Sequence, residues 1–276
     1  MRIVGRSRET FLYLNGLRVD RMLRLGAQAE LLPATCAPKP DDLIAVSKSE
    51  TDLAVITLFL RSVSSQIRVS ANSPQNLAVT AWNTVWDVLL LSAFCHCEVG
   101  CNLQSDVPAE KFGPKSGLAV TNYHLRGLCL NEPHLVTNDE AKWIESSIPR
   151  AHALLEVSAF QSAVHCLASY RWHSLPRVRL AIIWAGIEGL FGVESEISFR
   201  LSLYVARFLA PNDEAKRSHI FNSVRRLYKQ RSAAVHGSQV KGDLDAGVAE
   251  SAQLLLELLC QCVSHSGLPK TETLAP

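Results

Sequence analysis

The clearest apolar pattern in the N-terminal part of the chain lies between residues 74 and 94. Apolar residues recur there every three or four positions, the period of a helix with one buried face: Leu77, Val79, Trp82, Val85, Trp86, Leu89 and Leu90. Ser73 can cap the first turn, and Pro74 suits the first helical position because its missing N–H would have no helical partner there. The pattern therefore predicts a helix over residues 74–94.

The remaining N-terminal pattern is mixed. Strand-like segments are found at residues 11–14, 66–70 and 118–122, the first of them leading into Asn15-Gly16, a pair that favours a tight turn. Three prolines predict a loop over residues 33–42, and residues 50–63 are apolar enough for a helix or a buried strand. We interpret residues 1–130 as a mixed α+β domain of unknown role.

A linker at residues 131–136 is followed by an almost uniformly helical pattern. Thr137 and Glu140 have the spacing of a capping box, Pro149 is expected to interrupt the chain, and Ser195 can cap a later helix. Helices are predicted over residues 137–147, 151–172, 177–191, 195–209, 211–237 and 244–263. Short connections make residues 137–265 an antiparallel bundle, followed by a disordered polar tail at residues 266–276. The predicted fold class is mainly α, with an α+β domain preceding a helical bundle.

Composition limits the class of protein but not its function. The chain has 276 residues, of which 47% are apolar, and a formal net charge of +2, as expected of a soluble globular protein. The longest apolar stretches, residues 53–60 and 85–94, are shorter than the roughly 18 residues of a membrane span. The start lacks the apolar run of a signal peptide, and eight irregularly spaced cysteines fit reduced thiols. We expect a cytoplasmic protein without a membrane association.

The candidate chemistry lies in the sequence LYKQRSAAVHG at residues 227–237. Arginine can hold a phosphate and histidine is the side chain that ordinarily titrates near neutral pH, so Arg231 and His236 are the residue types needed for metal-free RNA cleavage. Five positions on a regular helix correspond to a rotation of about 500°, so the two residues lie about 140° apart around the axis. Either an unwound last turn before Gly237 or a second copy of the motif is needed to bring them together. A histidine in a last turn also feels the negative end of the helix dipole, which favours its charged form.

Several other residues could support this site. Arg225, Arg226 and Lys229 precede the motif on the same helix and are candidate RNA-binding residues, although a solvated basic face explains much of this pattern. Further bases could extend the patch: Lys216, Arg217, Arg171, Arg177 and Arg179. Glu188 lies in the apolar sequence AIIWAGIEGLF, so its carboxylate needs a partner, and Arg225 or Arg231 is the natural candidate. That contact could be a structural salt bridge or part of an active site.

Metal and cofactor sites are not predicted. Cys95, His96, Cys97 and Cys101 are metal-ligand types, but their spacing lacks a second paired half, so ordinary buried thiols are the simpler interpretation. The sequence has no phosphate-binding glycine loop, no nucleophile elbow and no His-Glu-x-x-His motif.

The sequence LYKQRSAAVHG resembles the Arg-x(4–6)-His signature of the HEPN superfamily, and it is most similar to the branch called Apea-like HEPN. The sequence AIIWAGIEGLF is similar more weakly, and the resemblance covers residues 135–265, about half the chain. It implies a compact helical bundle that forms a homodimer with two motifs facing one cleft. It also implies a metal-independent endoribonuclease, in which His236 acts on the ribose 2′-hydroxyl or the leaving 5′-oxygen and Arg231 holds the scissile phosphate. Active members often have Asn, Asp or His after the arginine, whereas this chain has Ser232, which can also hydrogen-bond a phosphate.

Three functions remain open at this point, so whether the chain is an enzyme is undecided. The first is an RNase effector, with RNA as partner and an N-terminal domain that senses a protein or ligand trigger, in stress or anti-phage defence as the family implies. The second is a non-catalytic dimerisation and interaction module. The third is a nucleic-acid binder that does not cleave.

Overall fold

We analysed a computed structural model, which describes residues 8–121, 132–193, 196–239 and 242–275. The fold is mainly α-helical with an antiparallel sheet, which confirms a mainly α protein with an α+β part. The strands are β1 Glu9–Asn15, β2 Leu17–Arg18, β3 Leu23–Arg24, β4 Ala29–Pro33, β5 Ser65–Ser70, β6 Gly100–Ser105, β7 Leu118–Val120 and β8 His134–Leu135. The helices are α1 Pro40–Val46, α2 Glu50–Arg61, α3 Pro74–Phe94, α4 Asn138–Leu155, α5 Ser158–Ser169, α6 Pro176–Phe191, α7 Ile197–Leu209, α8 Glu214–Val235, α9 Leu244–His265 and α10 Thr271–Leu274.

The chain divides into two compact units, Met1–Pro149 and Arg150–Pro276. The sheet belongs to the first unit and has the strand order β3-β4-β5-β1-β6-β7, with every neighbouring pair antiparallel. Strand β1 is buried on both faces: Leu12 and Leu14 are fully buried, and Phe11 and Tyr13 belong to a core cluster that includes residues of α1 and α2. Burial on both faces explains why β1 reads as a continuous apolar run rather than an alternating one.

Most predicted elements of the first unit are present. Helix α3 has the predicted bounds, and the Ser73 hydroxyl accepts a hydrogen bond from the Asn76 N–H at 3.2 Å. Residues 50–61 form helix α2 and not a strand. Strand β7 ends at Val120, and the predicted end at residue 122 lies outside the described residues. The loop prediction for residues 33–42 was wrong at its end, because α1 begins at Pro40, a residue suited to the first helical position.

Helix α4 begins as predicted but does not stop where we expected. The Thr137 N–H donates to the Glu140 carboxylate at 2.8 Å and the Glu140 N–H donates back to the Thr137 hydroxyl at 3.3 Å, which confirms the capping box. The expected interruption at Pro149 was wrong, because Pro149 lies inside a continuous helix between the fully buried residues Ile148 and Ala151. The two units divide directly after this proline, whereas the sequence placed the boundary at residues 131–136.

The second unit is built around helix α6, which packs against α5, α8 and α9. The Trp184 indole N–H donates to the buried Ser251 hydroxyl of α9 at 3.1 Å. Gly186 permits the close approach, since a Cβ there would lie 3.0 Å from Leu255 Cδ2 and 3.1 Å from Cys166 Cβ. Helix α6 therefore tolerates only a very small residue where its neighbours cross it.

Two helix ends and the tail differ from the predictions. Helix α8 begins at Glu214, capped by Asp213, and not at residue 211 or 212. Helix α7 begins after Glu196, and the predicted cap Ser195 lies outside the described residues. The tail was predicted to be disordered, but it forms α10, and Arg207 Nη1 donates to the carbonyls of Leu274 at 2.7 Å and Ala275 at 2.6 Å.

Helices α3 and α9 are long and apolar enough to cross a membrane by length and composition. In α3, 56% of the apolar window is buried inside the protein, and in α9 the share is 50%. Core helices of soluble proteins meet the same criteria, so the two helices are weak indications of a membrane association.

Candidate functional site

The end of helix α8 decides whether the two motif residues can meet within one chain. The helix is regular to Val235, and the His236 N–H still donates to the Ser232 carbonyl at 3.0 Å. Gly237 then ends the helix with a φ of +72°, a conformation that glycine adopts readily. Because the last turn is not unwound, Arg231 and His236 remain about 140° apart around the helix axis.

Arg231 is held on the side of α8 that faces α6. Its Nη2 atom lies 3.0 Å from each carboxylate oxygen of Glu188. The two side chains are only 19% and 26% exposed, so solvent screens this ion pair weakly. Burial raises the pKa of Glu188, and Arg231 opposes that rise without cancelling it. The predicted partner of Glu188 is confirmed, and Arg231 rather than Arg225 fills that role.

An aromatic pair completes the surroundings of Arg231. Its guanidinium carbon lies 5.7 Å from the centre of the Tyr228 ring, which in turn meets Trp184 edge-on at 5.4 Å. Burial and the nearby Glu188 carboxylate raise the pKa of the Tyr228 hydroxyl, while Arg231 lowers it. The motif arginine is therefore part of the packing between α6 and α8.

His236 is in the opposite situation. It is exposed to solvent beside Val235, which is 46% exposed, and the described residues include no side-chain partner for its ring. Ser232 is half-buried one turn earlier. Within one chain the structure does not bring His236 and Arg231 together. Any site that uses both must take one of them from a second copy.

A groove of about 970 Å³ lies between α8 and α9. All three residues predicted to bind RNA line it: Arg225, Arg226 and Lys229. Arg226 forms an ion pair with Glu250 of α9. Within the described part of the chain, Arg225 and Lys229 have no hydrogen-bond or ion-pair partner. Two cations are therefore available in the groove, and a third is shared with a carboxylate.

Gln230 and Gly242 also line this groove. The Gln230 amide rests against Gly242 and Gly247, and a Cβ at Gly247 would lie 2.6 Å from Gln230 Oε1. Asp243 also lines the groove, but its carboxylate caps α9 by accepting from the Asp245 N–H at 2.9 Å and the Ala246 N–H at 3.4 Å. Sequence reasoning missed this α9 wall. The glycines at 242 and 247 and the acid at 250 were the available signals.

The other candidate arginines do not extend the basic patch. Arg177 donates to backbone carbonyls at the end of α8, Arg179 Nε donates to the His173 carbonyl at 2.5 Å, and Arg217 Nη1 donates to the Pro211 carbonyl at 2.7 Å. Arg171 lies over the Tyr170 ring at 4.6 Å. These four guanidinium groups are engaged by the protein, in contrast to Arg225 and Lys229 in the α8–α9 groove.

The cysteine cluster does not assemble a metal site. Cys95, Cys97 and Cys101 form no disulfide bond, and the described residues contain no group of three or more His, Cys, Asp or Glu side chains suited to a metal. Burial raises the pKa of Cys101 to about 12, which favours the neutral thiol over the thiolate that a metal would need.

No protein-family model, no curated protein and no solved structure matches this chain. The function is therefore inferred from the two sides of α8, from the groove beside it and from the resemblance carried by residues 227–237.

Proposed function

We propose that the C-terminal unit is a HEPN-like bundle that binds RNA in the α8–α9 groove and cleaves it, as a homodimer, without a metal. The observation that carries the proposal is the pair of available cations, Arg225 and Lys229, in one groove of about 970 Å³ on the helix that ends in His236. The phosphate backbone of a nucleic acid suits such a groove. Each phosphate that a lysine or arginine neutralises releases condensed counterions, and this release favours binding.

The proposed chemistry assigns His236 the proton transfers. One imidazole takes the proton of the ribose 2′-hydroxyl, the 2′-oxygen attacks phosphorus, and the bond to the 5′-oxygen breaks. The leaving 5′-oxygen takes its proton from the imidazolium of His236 in the second copy. The products are a 2′,3′-cyclic phosphate and a 5′-hydroxyl. Arg231 stabilises the charge on the phosphate, and it must turn from Glu188 or be shared with it to do so.

The N-terminal unit is proposed to sense the trigger. This unit has its own core around strand β1, which is buried on both faces. A protein or ligand that binds this unit would be the trigger in a cytoplasmic stress or defence response. This assignment follows the family resemblance and the presence of a separate compact unit.

The decisive test is cleavage of single-stranded RNA by purified protein in excess EDTA. We expect cyclic-phosphate products from the wild type and a loss of at least 100-fold in rate for His236→Ala, since general acid–base catalysis contributes roughly 10²–10⁴-fold. His219→Ala is the matched control, because His219 is an exposed histidine on the same helix and should have no effect. Intact RNA with wild-type protein, or equal cleavage by His236→Ala, contradicts the proposal.

A second function, a non-catalytic interaction module, is favoured by one specific observation. Arg231 is already neutralised by Glu188 in a weakly exposed ion pair. That hypothesis expects a stable dimer without cleavage. Light scattering on the purified protein tests it, since a monomer excludes this hypothesis, and a dimer that cleaves RNA supports the enzyme instead.

A further inference from the structure

Arg177 joins the start of α6 to the end of α8. Its Nη1 atom donates to the Ala233 carbonyl at 3.4 Å and the Ala234 carbonyl at 3.1 Å, and its Nη2 atom donates to the Ser238 carbonyl at 3.1 Å. These acceptors lie on both sides of His236 in the chain. One guanidinium therefore holds the last helical turn and the residue after Gly237 at the same time.

The contacts satisfy groups that a helix end otherwise leaves open. The last carbonyls of an α-helix lack intrahelical donors, and backbone N–H groups beyond the end commonly satisfy them. In α8 the Ser232 carbonyl receives the His236 N–H, while the carbonyls of Ala233 and Ala234 receive Arg177. The course of the chain through His236 and Gly237 thus depends on a side chain from another helix.

We infer that Arg177 is a positioning residue that sets where the His236 imidazole lies. The inference rests on the proposed function only for its effect on cleavage, because the effect on the His236 side chain can be measured without any reaction. Because the Arg177 guanidinium is engaged by backbone carbonyls on either side of His236, it acts through His236.

The shape of the guanidinium matters as much as its charge. Arginine presents several N–H donors in a rigid fork, so two nitrogens can bind two separate segments at once. Lysine presents one compact ammonium on a flexible stem and can reach the α8 carbonyls or the Ser238 carbonyl, but it cannot hold both in the same way. Arg177→Lys therefore keeps the charge and loses the bridge.

The experiment compares Arg177→Gln and Arg177→Lys with Arg179→Gln in the full chain. Arg179 lies on the same helix and also donates to a carbonyl, but that carbonyl belongs to His173, which is not part of α8. We expect kcat for RNA cleavage to fall at least tenfold in Arg177→Gln, because small misplacements of a catalytic group reduce rates by up to about 100-fold. The KM should stay within twofold, because the cations of the groove are untouched. Arg177→Lys should recover part of kcat, and Arg179→Gln should match the wild type.

A spectroscopic measurement makes the result independent of activity. In protein with labelled histidine rings, we expect the His236 ring signal to move or broaden in Arg177→Gln while the His219 signal stays in place. Thermal unfolding identifies a variant that fails to fold. If Arg177→Gln does not fold, the His236 ring signal and kcat of Arg177→Lys are compared with those of the wild type. An unchanged His236 signal in a folded Arg177 variant overturns the inference, as does an unchanged kcat. A wild type that leaves RNA intact contradicts the proposed function, while the ring signal still decides the inference.

Discussion

The two sides of helix α8 carry the same kind of side chain in opposite situations. Toward α6, Arg231 is 19% exposed, paired with Glu188 and placed beside the Tyr228 ring. Toward α9, Arg225 and Lys229 line an open groove and have no partner in the described part of the chain. The arginine of the motif is thus engaged, whereas Arg225 and Lys229, which precede it on the same helix, are available.

The difference shows that availability, more than residue type, decides which cation can bind a ligand. A phosphate approaching Arg231 must compete with a carboxylate at 3.0 Å, whereas a phosphate approaching Arg225 or Lys229 displaces only water and counterions. The packed side of α8 should therefore control stability, and the groove side should control affinity. Substitutions in α6, α8 and α9 test that separation.

The first prediction concerns the packed ion pair. Arg231→Met should reduce the free energy of unfolding at pH 7 by about 2–3 kcal/mol, because it leaves the half-buried Glu188 carboxylate without its charged partner. Chemical denaturation at several pH values measures this loss. RNA affinity, measured by fluorescence anisotropy, should change little.

The pH dependence of that loss follows from Glu188. Burial raises its folded-state pKa above the ordinary value of 4.5, and removing Arg231 raises it further because Arg231 acts in the opposite direction. The contribution of Glu188 to stability is therefore fully present at a pH below its pKa in the unfolded chain. It is lost as the pH rises through its higher pKa in the folded protein. Arg231→Met should approach wild-type stability near pH 4. A loss that is equally large at pH 4 and pH 7 would show that packing, and not charge, is responsible.

The second prediction compares two glycines of α6. Gly186→Ala should destabilise the protein by about 1–2 kcal/mol, because overpacking against Leu255 and Cys166 outweighs the better helix propensity of alanine. A Cβ added at Gly189 would have no described atom within 4 Å, so Gly189→Ala should stabilise the protein by about 0.5–1 kcal/mol. Thermal unfolding separates the two, and equal shifts in Tm would contradict this description of the α6 packing.

The third prediction concerns the groove. The double variant Arg225→Ala/Lys229→Ala should bind single-stranded RNA about tenfold more weakly, and its salt dependence of log Kd should flatten by about 1.4 if each residue contacts one phosphate. The matched control is Lys216→Ala, an exposed lysine of α8 outside the groove. An equal loss in the control would mean that the general charge of α8, and not the groove, attracts RNA.

The smallest expected effect is a gain of affinity. Glu250→Gln should strengthen RNA binding about two- to threefold, because it frees Arg226 from an exposed ion pair that is worth about 0.2–1 kcal/mol. The salt dependence should steepen at the same time. Glu257→Gln on the same helix is the control, since Glu257 lies outside the groove. Weaker binding by Glu250→Gln would show that this carboxylate contacts RNA or shapes the groove instead of shielding Arg226.

Local sequence signals located several elements closely. Ser73-Pro74 marked the start of α3, and Thr137 with Glu140 marked the start of α4, because these side chains satisfy N–H groups in the turns next to them. The prediction at Pro149 was wrong because it considered only the local effect of proline, which disfavours a helix. The buried residues beside Pro149 keep α4 continuous.

The basic side chains of α8 and Glu188 were identified from the sequence, but the α9 wall of the groove and the contacts between helices were not. That Glu188 needed a cationic partner followed from its apolar surroundings, but the choice between Arg225 and Arg231 did not. Neither the pairing of Arg226 with Glu250 nor the bridge from Arg177 to the end of α8 could be derived. Each of these contacts joins residues at least 24 positions apart, and their register depends on how the helices pack.

The mainly α character, most helix positions and the basic side chains of α8 follow from the sequence alone. Periodicity and capping act over a few residues, so one chain segment contains all the information they need. The tertiary structure was needed to show that Arg231 faces α6, that Arg225 and Lys229 share a groove with α9, and that Arg177 holds the turn at His236. Those outcomes depend on helix rotation and crossing, which many weak contacts between distant segments set together.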